Sequence, residues 1–184
     1  LLDLDNTLYP ASGAMDEGIT NRMLAFVASW LKVSPEEAQR LRREGLKECG
    51  TTLEWLRTRH GLADMGAFFE AVHPESEVDE LIADPNLRPY LISLGLPMTL
   101  LTNAPMIHAT RVLDFFNIGD LFAGIYDLTF HNGKGKPHAT AMPRARRPGR
   151  RRASPPSSGA LRTRTCLFLL LACAVDDAVA GDPE

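Results

Sequence analysis

The chain has 184 residues, of which 45% are apolar and 23% charged, and its formal net charge is −3. That balance suits one folded domain with a core of its own, with room for a small inserted unit, and excludes a charge-rich chain without a core. The one long apolar run, CLFLLLACAV at 166–175, is half of the roughly 20 residues a membrane-spanning helix needs, and it reads as a buried strand.

The charge is unevenly spread. From Leu128 to Val175 there is no acid and there are ten Lys/Arg residues, so a basic block follows an acidic body. The three cysteines, Cys49, Cys166 and Cys173, are scattered, with no CxxC pair and no Cys/His metal spacing. They read as free thiols of a reducing compartment, and a cytoplasmic protein is expected.

In chain order, Leu1–Leu4 reads as the end of a buried parallel strand. Such strands usually run about five or six residues, so its beginning is expected upstream of Leu1. Asp3 and Asp5 stand at its carboxyl end. Residues i and i+2 of a strand share a face, which would bring both carboxylates to one site. Two carboxylates about 4 Å apart repel by about 4 kcal/mol at an effective dielectric of 20. A Mg²⁺ ion, which favours oxygen ligands, or a shared proton must offset that.

A helical block follows. MDEGITNRMLAFVASWL places Ile19, Met23, Phe26, Val27, Trp30 and Leu31 at three- and four-residue steps. SPEEAQRLRREGLKECG opens with Ser34 as N-cap, Pro35 at the first helical position and Glu37 at the capping-box position, and Gly50 is its stop. TTLEWLRTRHG and DMGAFFEAVH give two more helices. LRPYLISLG is a short helix leading into PMTLLTN, a strand ending at Leu101, after which APMIHATRVLDFFNI is helical and GIYDLTF is a strand. A strand, a helical block, then strand–helix–strand predicts an α/β fold with helices inserted after the first strand. In such sheets ligands bind at the carboxyl ends of parallel strands. Asp3/Asp5, Thr102/Asn103 and the loop after Phe130 all lie at predicted strand ends. The phenylalanine pairs Phe68-Phe69 and Phe115-Phe116 read as core, and His108, His131 and His138 as surface or capping residues. Taken singly, each polar cluster has a plainer reading as a turn or a helix start.

Together, the segments DLDNTLYP, LLTN, GKGKPH and AVDD resemble, in order and spacing, the four motifs of the haloacid dehalogenase superfamily of phosphohydrolases. The DNTLYP continuation, the helices directly after it and the GKGKPH segment resemble its pyrimidine 5′-nucleotidase-like branch. The likeness covers residues 1–142 well and 166–179 weakly. It implies a Rossmann-like three-layer core with a parallel sheet, formed by 1–13 and 86–184, and an α-helical cap at 14–85 that selects the leaving group. It implies Asp3 as nucleophile, forming an aspartyl-phosphate, and Asp5 as the acid that protonates the leaving oxygen and then deprotonates the attacking water. Thr102 and Asn103 would bind phosphate oxygens. Lys136, preferred over Lys134 because the family pattern sets the lysine directly before proline, would neutralise phosphoryl charge. Asp3 and Asp5 with Asp176 and Asp177, of which Asp177 better matches the family position, would hold Mg²⁺. The implied substrates are nucleoside monophosphates or other small phosphometabolites. A phosphomutase of the same superfamily shares every motif. A dehalogenase does not use an aspartate at the position of Asp5.

The pattern breaks at 143–165, where the family has an amphipathic helix. This segment has four prolines, eight arginines and no 3.6-residue apolar period, so it is expected to be irregular. A nucleic-acid arm is one reading of the arginines. The preferred one is a local reading-frame error in a GC-rich coding sequence, with the frame restored near VDDAVAG. After Asp177 the family's Ser and Asn do not follow, and the last strands and helices of the core are expected beyond the chain given. On these grounds the chain is expected to fold poorly and to be weakly active, or to be a non-catalytic remnant that binds phosphorylated ligands.

Overall fold

The computed structural model describes residues 1–11, 13–131, 133, 135 and 136. It is a mixed helix and strand structure with a two-stranded parallel sheet. The expected irregular segment at 143–165, the 166–175 strand, and Asp176 and Asp177 lie outside the described residues.

Helix α1 (Ala14–Leu31) carries Val27 fully buried, but Trp30 is 42% exposed and lies at the rim, where its indole Nε1 donates to the His60 carbonyl at 3.1 Å. Helix α2 (Pro35–Cys49) starts as its sequence predicts. Ser34 Oγ accepts from the Glu37 amide at 3.3 Å, satisfying one of the free N–H groups of the first turn. The Glu37 carboxylate turns outward to Arg40 rather than back to Ser34, so only half of the capping box forms. Gly50 ends the helix at φ +82°, a left-handed conformation that costs glycine little. Helices α3 (Thr52–Arg59) and α4 (Met65–Val72) are capped by the side chains of Thr51 and Asp64. The ring of Trp55 lies on Gly45, where any Cβ would collide with it. A 3₁₀ turn, Glu75–Glu80, leads back toward the sheet.

Helix α5 (Leu87–Ser93) precedes strand β1 (Met98–Leu101), and helix α6 (Met106–Phe115) precedes strand β2 (Phe122–Tyr126). The strands pair in parallel, with Leu100 opposite Ile125 and Leu101 opposite Tyr126. On the other side of β1, Leu2 forms a parallel bridge with Leu100: its amide donates to Thr99 and its carbonyl accepts from Leu101, both at 2.9 Å. The predicted first strand is thus a single bridge beside β1. The chain then turns at once, with the amides of Thr7 and Leu8 donating to the Leu4 carbonyl and Asn6 at φ +59°.

Strand β2 differs from the predicted GIYDLTF. It starts two residues earlier and stops at Tyr126, because the buried Asp127 carboxylate takes hydrogen bonds from the Met106 and Phe130 amides and the Thr129 hydroxyl. A residue whose side chain ties its own neighbours' backbone competes with ladder pairing.

The core forms two clusters. One joins Leu4, Leu8 and Met15 to Leu100, Val112 and Ile118 around the sheet. The other joins Val27, Ala38, Leu53, Leu56, Phe68 and Val72 among the helices that follow the first turn, with Leu128 packed into it. Ile19 packs against both. Phe68 and Phe116 are buried as expected, whereas Phe115 is 39% exposed: Phe116 takes the inward position at the end of α6. Both clusters are built from residues of several elements within the described part of the chain.

Candidate functional site

Three distant stretches meet at the carboxyl end of the parallel segments. The Lys136 ammonium lies 2.5 Å from Asp3 Oδ1, which also accepts from the Leu4 amide at 2.8 Å. Asn103 fastens the lysine's backbone, since its Oδ1 accepts from the Lys136 amide at 2.6 Å. Gly135 makes this approach possible: a methyl there would collide with Thr51 Cγ2 and press on Asn103 Oδ1. The resemblance has Asn103 binding phosphate oxygens; here its side chain holds the Lys136 backbone, a role the motif pattern does not indicate.

The Thr102 hydroxyl is also engaged. It accepts from the Ala104 amide at 3.0 Å and donates to Asp5 Oδ2 at 3.2 Å, while the Thr102 amide donates to Tyr126 in the sheet. Asp3, Lys136, Asn103, Thr102 and Asp5 therefore form one connected set. The strand-alternation reason given for pairing Asp3 with Asp5 does not hold, because Asp5 sits in the turn after Leu4. Each carboxylate has a cation of its own, Lys136 for Asp3 and His108 for Asp5.

The reading of His108 as a surface or capping residue is corrected: it is fully buried on α6. His131 has no described side chain, and His138 lies outside the described residues. Asp5 Oδ1 accepts from the Tyr9 hydroxyl at 2.5 Å and from His108 Nε2 at 2.9 Å. The other ring nitrogen of His108 stands 3.0 Å from Oε2 of the fully buried Glu77, off the line of a good hydrogen bond. That same Oε2 meets His73 Nδ1 at 2.9 Å. Arg111 reaches Glu77 Oε1 at 3.5 Å and donates to the His73 carbonyl at 2.9 Å.

Electrostatics follow from this packing. Burial works to raise the Asp5 pKa, but the hydrogen bond and charge of His108, with the Tyr9 hydroxyl, outweigh it and hold Asp5 at about 2. Glu77 is likewise held at about 2 against burial, by His108 and His73. Burial works to lower His108, but the hydrogen bond to Asp5 and the nearby charges of Asp5 and Glu77 lift it to about 9. His73 is lowered, chiefly by burial. Burial, and then the Asp5 charge, raise the Tyr9 phenol well above its usual range.

His73, Glu77 and His108 could also hold a metal ion, since one ligand atom from each lies within 4.8 Å of the others. Beside this group a cavity of about 200 Å³ is lined by Arg42, Thr51, Phe68, Phe69, His73 and Asn103, among others. No family model matches the chain. Among the described residues no helix is long and apolar enough to cross a membrane.

Nothing in the sequence assigned a role to His73, Glu77 or Asp127, and Tyr9 stood only as part of the DNTLYP segment. His73 and Glu77 have the i, i+4 spacing of a metal or ion pair, but nothing in the sequence links them to His108, 31 positions beyond Glu77.

Proposed function

We propose that this protein is a Mg²⁺-dependent phosphomonoester hydrolase that works through an aspartyl-phosphate, with small phosphometabolites, nucleoside monophosphates first, as substrates. On this reading the parallel segments belong to a three-layer Rossmann-like core, and residues 14–85 are its helical cap. The observation that supports it best is the meeting of Asp3 with Lys136 and of Asp5 with Thr102, residues far apart in the chain and drawn from three of the four motifs.

In the first step an Asp3 carboxylate oxygen attacks phosphorus, the bond from phosphorus to the leaving oxygen breaks, and Asp5 gives that oxygen its proton. Asp5 rests as a carboxylate, so its proton arrives with the substrate. A phosphomonoester, with a second pKa of about 6, still carries one in part near neutral pH. In the second step Asp5 takes a proton from water, the water oxygen attacks phosphorus, and the acyl phosphate bond to Asp3 breaks. Lys136 balances charge on the phosphoryl oxygens and on Asp3 throughout. Asp3 and Asp5 are hard oxygen donors suited to Mg²⁺, with Asp176 and Asp177 as the further ligands of this reading. When bound, the ion would neutralise phosphoryl charge. The cavity beside Asn103, walled by Phe68 and Phe69, would receive the leaving group.

Turnover of p-nitrophenyl phosphate and of nucleoside monophosphates with Mg²⁺ or with EDTA tests the proposal. Turnover that needs Mg²⁺, with a phosphoryl group trapped on the Asp3 peptide after acid quench, is expected. Absence of both would sink it. Gly135→Ala is expected to cut this turnover by about 10–100-fold, because a shift of the lysine loop by an ångström misplaces its charge. Unchanged turnover would show that the loop does not position Lys136.

A further inference from the structure

The buried chain of polar groups behind Asp5 is not explained by phosphate chemistry alone. It runs from the sheet side, Asp5 and His108, to the stretch that returns from the helical block, His73 and Glu77. Arg22 of α1 anchors that stretch from the other side, donating to the Val72 carbonyl at 2.8 Å and gripping Glu80 with both guanidinium ends at 2.6 and 3.1 Å. Resting on the hydrolase reading above, we infer that His108 is a positioning residue for Asp5, and that Glu77 and His73 hold His108 in place from the helical block.

The geometry leaves His108 little freedom. A neutral imidazole carries one N–H, yet both ring nitrogens face carboxylate oxygens, which only accept. Two carboxylates flanking the ring favour its doubly protonated, cationic form. Arg111 places a second cation beside Glu77, and His73 Nδ1 meets the same carboxylate. A buried ionic cluster of this kind adds little stability over apolar packing, and what it supplies is fixed geometry. Here that geometry ends on Asp5 Oδ1, which the His108 and Tyr9 donors occupy together. Asp5 Oδ2, held only by Thr102 among the described residues, is left as the one oxygen open both to the ion of the hydrolase reading and to the proton. A divalent metal on His73, Glu77 and His108 would instead take up His108 Nδ1 and stand beside the Arg111 guanidinium, a cation that already faces Glu77.

His108→Gln and Glu77→Asp test this. The second keeps the buried charge but withdraws it from the ring. Both are assayed in the full chain with Mg²⁺ on p-nitrophenyl phosphate, whose leaving group needs little protonation, and on glycerol phosphate, whose alkoxide needs it fully. The expected result is a loss in kcat/KM of about 10–100-fold on glycerol phosphate and under about threefold on p-nitrophenyl phosphate, with each variant still folded by circular dichroism. Equal losses on the two esters, or none, would overturn the inference and leave the hydrolase reading standing. A wild-type chain inactive on both esters would overturn the two together. If His108→Gln does not fold, Glu77→Asp decides by the same ratio. One equivalent of zinc per wild-type chain, lost in Glu77→Asp, would overturn the inference in favour of a metal centre.

Discussion

Asp3→Asn is expected to lower Mg²⁺-dependent phosphomonoester turnover by at least about 10³-fold, with no phosphoryl group trapped on the protein. On the proposed reaction the Asp3 oxygen forms the bond to phosphorus, and a carboxamide oxygen is a far poorer nucleophile. Losing a nucleophile removes the covalent route rather than weakening it, and such losses are among the largest that single substitutions cause. The fold should hardly notice. Asp3 lies at the mouth of the site with its side chain 18% exposed, and the pair it makes with Lys136 is partly open to water. Fully exposed pairs contribute about 0–1 kcal/mol, and this more enclosed one somewhat more. Near-wild-type melting with turnover gone would therefore assign the loss to chemistry. Equal turnover in the variant and the parent would remove Asp3 from the nucleophile's role.

Glu77→Ala is expected to lower the unfolding free energy by about 3–5 kcal/mol, read from the midpoint of a urea titration. That is a large share of the roughly 5–15 kcal/mol of a typical domain. Glu77 is fully buried, and its carboxylate faces His73, His108 and Arg111. Removing it leaves an imidazolium and a guanidinium without their shared anion. A drop below about 1 kcal/mol would mean that water or a side-chain rearrangement reaches the site.

The same network sets a pH window for stability, best measured in EDTA. Glu77 and Asp5 are held at about 2, below their ordinary 4.5 and 3.8. Acids shifted down stabilise fully above the ordinary value, and that stability drains away as pH falls toward 2. His108 is shifted up, from 6.5 to about 9, so its contribution is complete below 6.5 and is lost as pH rises through about 9. His73, shifted down, works against folding below 6.5 and offsets part of His108 there. The acid and base shifts describe one shared interaction and do not add. The wild-type curve should therefore be highest between about 4.5 and 6.5, and Glu77→Ala should flatten both limbs. An alkaline limb that stays steep in the variant would place the titrating group elsewhere.

Much of this was legible in the sequence because it is local. Ser34, Thr51 and Asp64 cap helices within three residues of themselves, Gly50 ends one, and the apolar MTLL run forms β1 where expected. Asp3, Thr102 and Asn103 stood at predicted strand ends, and Lys136 was singled out by the motif resemblance, which sets the lysine before proline. What each side chain touches was not legible. Thr102 spends its hydroxyl on Asp5, Asn103 holds the Lys136 backbone, and β2 stops at Asp127 because that carboxylate ties the start of α6 to the turn after the strand.

Helices and the position of β1 could be read from the linear order because caps, periods and turn residues act over a few positions; the candidate residues came from the resemblance of four short motifs. Only the tertiary structure decided that His108 is buried against Asp5, 103 positions away, and that Glu77 and His73 close the chain behind it. A histidine looks the same in sequence whether it faces water or two carboxylates. Its burial and its charge are set by packing between elements that the linear order keeps apart.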